Sequence, residues 1–244
     1  MSLWKTLAGA AAGLAADAHL TRHGSIGSLL KGLAESYAFD RHHNDGIPEH
    51  QAAFTVGVIA LGAKMAKADG VVTRDEVLAF KKVFKVPDGE MENVSRIFNL
   101  AKQDIVGYET YASQLASLLK NNHRLLEDVL EGLFHIATAD KVFHPNEERF
   151  LAEVAKRFGF RDIEFNYIKA RHVGSAKDSP YDVLGITPEI SNDALKTQYR
   201  KLVTDNHPDK MIARGVPPEF VSMATKKIAV INAAYEAVVK ERRI

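Results

Sequence analysis

The chain has 244 residues, 46% of them hydrophobic, and balances 32 Lys and Arg against 31 Asp and Glu for a formal charge of +1. That length and apolar content suffice for one large or two smaller packed domains, and the near-neutral balance excludes a global field that would gather nucleic acid or anionic lipid. Cysteine is absent, which excludes disulfides, thiolate metal sites and thiol-based redox control, and suits a reducing cytosol.

The N-terminal stretch MSLWKTLAGAAAGLAADAHLTRHG contains a GxxxG, Gly9 to Gly13, inside an apolar run. From Leu7 to Ala16 that run is about half of the roughly 20 residues needed to span a bilayer. Only Lys5 charges the segment before it, so a signal peptide is not indicated either. Leu3, Leu7, Ala11, Leu14 and Ala18 share one helical stripe with Trp4 beside it. This predicts a helix docked on a partner or frayed, in preference to one lying on a membrane surface. A cytoplasmic location is expected, with peripheral association at the cytoplasmic face of the inner membrane as the alternative.

Beyond this segment almost every apolar pattern has the helical period, and no β-branched run alternates strictly, so the chain reads as all-α. The polar, turn-rich HHNDGIP (His42 to Pro48) marks a first boundary, with Pro48 suited to the first turn of the following helix. The small, polar HVGSAKDS (His172 to Ser179) marks a hinge. The expected organisation is an N-terminal helical segment (1–47), a central helical domain (48–171), a linker (172–178) and a compact C-terminal unit (179–244).

The central domain carries an internal repeat. Ala66-Lys67-Ala68-Asp69-Gly70-Val71-Val72-Thr73-Arg74-Asp75-Glu76 aligns with Ala137-Thr138-Ala139-Asp140-Lys141-Val142-Phe143-His144-Pro145-Asn146-Glu147. Each copy reads as a long apolar helix, a short turn with one inward hydrophobe (Val72, Phe143) and a new helix with an acid early in it, giving two helix-turn-helix units in pseudo-symmetry. Asp69, Gly70, Val72 and Glu76 match the fifth, sixth, eighth and twelfth places of a calcium loop. The first and third places hold Met65 and Lys67 in one copy and Ile136 and Thr138 in the other, and a thioether and an ammonium supply no hard oxygen, so no metal is expected. Each Asp is expected to satisfy backbone groups in the turn, and each Glu to favour a helix N-terminus. Over about residues 50 to 170, most strongly in IALGAKMAKADGVVTRDE, the repeat resembles the TerB family of tellurite-resistance proteins. The resemblance implies a metal-sensing or protein-interaction module, with Asp69, Glu76, Asp140 and Glu147 as its acidic positions.

In the C-terminal unit Ser179-Pro180-Tyr181-Asp182 opens a short helix with a capping serine, a proline at the first position and an acid at the third, and Gly185 ends it. Ser191 or Asn192 caps a second helix, whose stripe is Leu195, Tyr199, Leu202 and Val203, with Lys196, Arg200 and Lys201 on the remaining surface. Past the loop Ala213-Arg214-Gly215-Val216, Pro217 and Pro218 start a third helix with the stripe Val221, Ala224, Ile228, Ile231 and Tyr235. The two long helices should pack antiparallel with their stripes facing. Between them lies His207-Pro208-Asp209. Pro208 disfavours helical geometry at His207, which predicts a fixed, exposed tip at the end of the basic helix. Its imidazole and carboxylate can make directional bonds to another protein while the adjacent cations attract it.

YDVLGI, YRKL, HPDK and INAAYE, in this order over residues 178 to 244, resemble the J domain of DnaJ-type (Hsp40) co-chaperones, a small four-helix unit. The loop RGVPPEF and the TerB-like domain ahead of it are similar to the DjlA group of bacterial co-chaperones. The resemblance implies a non-enzymatic protein without cofactor that binds the ATP state of an Hsp70 (DnaK) and stimulates its ATPase, the TerB-like domain targeting an unknown client or partner. It matches His207, Pro208 and Asp209 to the essential motif, and Lys196, Tyr199, Arg200 and Lys201 to the docking helix. From its place on the apolar stripe Tyr199 is expected to be more core than contact. Asp205 stands where many J domains carry a basic residue, which shortens the positive patch. Asn206 replaces a common aromatic, which should loosen packing under the turn.

The context matters, because His144-Pro145-Asn146 offers nearly the same tripeptide and reads as a plain helix start. The alternative is a helical metal-sensing or nucleic-acid-binding adaptor. A DNA reader needs a basic recognition helix, whereas the helices beginning near Arg74 and Asn146 carry acids in their first turns, so no nucleic-acid partner is expected. His19, His23, His42, His43 and His50 read as a mobile surface loop in preference to a metal or catalytic site.

Overall fold

The structure is a computed structural model that describes residues 49–68, 95, 107–119, 122–139, 141–174, 179–216 and 218–244. The N-terminal stripe from Leu3 to Ala18, the His42–Pro48 boundary, His19, His23, His42 and His43, and the acids Asp69, Glu76 and Asp140 lie outside these residues. Every regular element among the described residues is an α-helix, as the periodicity predicts. In chain order they are α1 (Glu49–Ala68), α2 (Tyr108–Leu118), α3 (His123–Ala137), α4 (Pro145–Arg157), α5 (Asp162–Val173), α6 (Pro180–Leu184), α7 (Asn192–Asp205), α8 (Pro208–Ala213) and α9 (Pro218–Arg242). None of the described helices is long and apolar enough to cross a membrane.

The chain forms two compact units, one ending at Gly159 and one running from Phe160 to Ile244. In the first, α1 packs on α2, α3 and α4. From Phe54 to Met65 every residue of α1 is buried, which makes it the core helix of this unit and explains why its apolar residues do not keep to one stripe. At Gly57 a Cβ would collide with the Leu115 side chain, so the glycine sets how closely α1 approaches α2. Lys64 is buried yet holds its ammonium 5.1 Å from the ring centre of Tyr111, a cation–π arrangement that offsets part of its desolvation. Helix α3 starts at Asn122, whose side chain accepts from the Leu125 N–H, and most of its length is buried too. Phe143, the expected inward hydrophobe of the second turn, lies 5.8 Å from Phe134, centre to centre.

In the second unit α6, α7 and α9 close around Tyr181, Leu184, Ile186, Leu195, Leu202, Ile231, Ala234 and Val238. Tyr199 pairs with Tyr235, and Asn192 with Arg242, so α7 and α9 run antiparallel, as the facing stripes predict. The expected caps of α6 are present: Ser179 and Asp182 form a reciprocal capping box, and Gly185 ends the helix at φ 67°. A Cβ on Gly185 would stand 3.2 Å from the Tyr167 ring of α5, and Arg171 of α5 donates through Nε to the Val183 carbonyl at 3.2 Å. Helix α5 thus packs on α6 and α9 within this unit. At the far edge, Arg242 bonds the Pro188 and Ile190 carbonyls at 2.6 and 2.7 Å and the Asn192 side chain at 3.0 Å. Its guanidinium also lies 5.3 Å from the Tyr181 ring centre.

Candidate functional site

Helix α7 sorts its side chains by face. Ser191 Oγ accepts from the Ala194 N–H to begin it. Leu195 and Leu202 are buried, Gln198 donates to the Leu184 carbonyl at 3.1 Å, and Lys196, Arg200 and Lys201 are exposed. Lys196 and Arg200 are one turn apart and so present their charges side by side. Tyr199 is half-buried. Its ring stacks on Tyr235 with centres 4.0 Å apart, and its hydroxyl lies 3.1 Å from Asn232 Oδ1. It therefore supports the cationic face from beneath, consistent with a place on the apolar stripe.

Pro208 carries no N–H, so the helix ladder cannot continue through it. The His207 N–H closes on the Thr204 carbonyl at 3.2 Å, and α7 ends at Asp205 with Asn206 as its cap. The sequence predicts a tip here, and the structure refines it into a helix start. His207 is the extended N-cap of α8 (φ −63°, ψ 137°) and Pro208 its first residue. His207 Nδ1 accepts from the Asp209 N–H at 3.3 Å and lies 3.6 Å from Asp209 Oδ2. The two side chains are 54% and 87% exposed. A neutral imidazole accepting at Nδ1 carries its proton on Nε2. The motif therefore offers one outward donor and one outward carboxylate.

Two residues brace this corner. Asn206, expected to loosen the packing, is only 3% exposed and donates through Nδ2 to the Leu202 carbonyl at 2.7 Å, so it fills its place with a hydrogen bond instead of a ring. Arg214, which the sequence reading leaves inside a loop, donates through Nη1 to the Asp205 carbonyl at 2.7 Å. The signal that could have found it is a cation shortly before a helix-ending glycine, one short helix past a proline that strips donors from the preceding helix.

Of the acidic positions in the first unit, Glu147 is described. It is 2% exposed, and its Oε2 accepts from the His144 N–H at 2.8 Å, the helix-start role expected of it. Among the described residues no group of three or more His, Asp or Glu is placed to hold a metal ion.

The TerB family, described as tellurite resistance protein TerB, matches residues 55–170, and the DnaJ domain matches residues 179–244. The co-chaperone protein DjlA of Coxiella burnetii is 30% identical over 200 residues, covering 73% of each chain. The chain belongs to the DjlA family of co-chaperones. The DjlA proteins of Photobacterium profundum and Escherichia coli K12 are 29% and 24% identical, covering 80% and 90% of this chain and 79% and 93% of theirs. No solved structure matches significantly. As a DjlA-family member the chain is a J-domain co-chaperone with a TerB domain ahead of the J domain, and α5 ends the TerB match in sequence while packing with the J domain in space.

Proposed function

We propose that the J domain docks on an Hsp70 of the DnaK type and stimulates its ATP hydrolysis, acting through His207, Pro208 and Asp209 and performing no chemistry itself. The observation that carries this reading is the outward imidazole and carboxylate, 3.6 Å apart, at the end of a helix whose exposed face bears Lys196, Arg200 and Lys201. The cations supply attraction that is long-range and screened by salt. The motif supplies short, directional bonds whose geometry is preset by the start of α8, so little side-chain entropy is lost on docking. Tyr199 keeps the docking helix in place from the core side. The TerB-like domain serves as the targeting module, toward a client or a partner protein, and the protein works at the cytoplasmic side of the cell.

Steady-state ATPase assays with purified DnaK from the same organism test the reading. The full chain raises turnover, and His207→Gln removes the increase while the fold, followed by circular dichroism, is kept. A chain that leaves the DnaK rate unchanged, or a His207→Gln variant as active as the parent, refutes it.

A further inference from the structure

The motif sets up a local problem at the last carbonyl of α7, and a side chain from beyond α8 meets it. In an α-helix the last four carbonyls have no donor from the helix itself. At the end of α7, Pro208 has no N–H to offer, and the N–H of Asp209, the one four residues beyond Asp205, turns to His207 Nδ1 instead. The Asp205 carbonyl is met by the Arg214 guanidinium at 2.7 Å. This is a charge-assisted bond, and a cation at a helix C-terminus also suits the macrodipole.

Arg214 reaches that carbonyl because α8 is short and firmly ended. Gly215 sits at φ 95°, its N–H bonds the Ile212 carbonyl at 2.9 Å, and the Val216 N–H bonds the Met211 carbonyl at 3.0 Å. This is a Schellman ending with Arg214 as its C-cap. Met211 and Val216 are buried beneath it, which anchors the helix to the unit. The bond from Arg214 to Asp205 therefore closes a ring of backbone around His207, Pro208 and Asp209.

We infer that Arg214 is a positioning residue for the motif: it ties the end of α7 to the end of α8, and so fixes the direction in which His207 and Asp209 project. The inference rests on the proposed function and deepens it. It separates docking from triggering, since Arg214 does not belong to the cationic face that draws the partner in.

The test uses the full chain with Arg214→Met, which keeps the aliphatic stem and removes the donors, and Arg214→Lys, which restores a charged donor. In the DnaK assay Arg214→Met should lower maximal stimulation about tenfold, with the half-saturating concentration changed by less than about twofold, as expected when an interaction acts in the activated complex and not in binding. Arg214→Lys should recover part of the loss. The second readout needs no Hsp70: imidazole nitrogen shifts should show His207 as the Nε2–H tautomer in the parent and as a tautomer mixture in Arg214→Met. If the parent stimulates DnaK and Arg214→Met matches it with the His207 tautomer unchanged, the positioning role is wrong and the proposed function stands. If the parent itself does not stimulate, the proposed function fails, and the tautomer shift alone upholds or overturns the role of Arg214.

Discussion

Helix α4 begins His144-Pro145-Asn146-Glu147 and helix α8 begins His207-Pro208-Asp209-Lys210. In both, the histidine is an extended N-cap, at φ −81° and ψ 145° in the first and φ −63° and ψ 137° in the second, with proline as the first helical residue. The third helical position separates them. At α4 it is Glu147, which turns back to the His144 N–H and is buried in doing so, so the charged group is consumed inside the fold. At α8 it is the exposed Lys210. The His207 N–H has already gone to Thr204, and the acid stands one place earlier, outside. Similar backbone geometry thus yields a structural start in one unit and a candidate contact in the other. A histidine-proline pair says where a helix begins, and the neighbouring charges say whether anything is left for a partner.

The sharpest way to break this comparison is to neutralise the outward pair. Asp209→Asn should reduce stimulation of DnaK at least about thirtyfold, the scale of a lost charge-assisted contact of roughly 2 kcal/mol. Because the carboxylate is mostly solvated, the melting temperature should stay within about 2 °C of the parent. A variant that melts much lower would mean that α8 uses its acid as α4 does.

Glu147→Ala should do the reverse. Removing a buried acceptor from a helix start should cost about 1–3 kcal/mol in urea unfolding of the first unit, with stimulation unchanged at temperatures where the chain stays folded. Loss of stimulation in a folded Glu147→Ala protein would contradict the assignment of a purely structural role.

Charge reversal at Lys196 or Arg200 is smaller in effect. Each should weaken half-saturation about three- to fivefold at low salt, and the difference should shrink as ionic strength rises, because exposed charges contribute roughly 1 kcal/mol or less and are screened. The smallest effect belongs to His144→Gln, expected within about 0.5 kcal/mol of the parent in stability and unchanged in stimulation. That outcome, set beside His207→Gln, is the direct measure of how far two near-identical sequences have diverged in use.

Much of the second unit was legible because its signals are local. Ser179, Pro180, Asp182, Gly185 and Ser191 act within one turn of their own positions, and the stripes of α7 and α9 follow from period alone. The residues predict an exposed tip at His207, and the pair is exposed there while also starting a helix, as the pair at His144 does. Six residues of helix ended by Gly215 are too short to show a period. Arg214 was passed over because its partner, Asp205, lies on another helix, and no spacing rule joins a residue past one helix to the carbonyl end of the previous one. The burial of Asn206 escaped for a related reason: an amide that fills the place of a ring is recognisable only once the Leu202 carbonyl is seen beside it. The attachment of α5 to the J domain was equally hidden, since it depends on Tyr167 meeting a bare backbone at Gly185 and on Arg171 reaching a carbonyl.

The clamp made by Arg242 bears on how the second unit assembles. It joins residues 50 to 61 positions apart, Asn192 and Tyr181 among them, so it can form only after the intervening chain has been brought back on itself. Amide protons at Leu195, whose N–H bonds the Ser191 carbonyl, and at the last turn of α9 should then exchange with solvent as parts of one cooperative opening, and the loop before α7 should loosen whenever that turn frays.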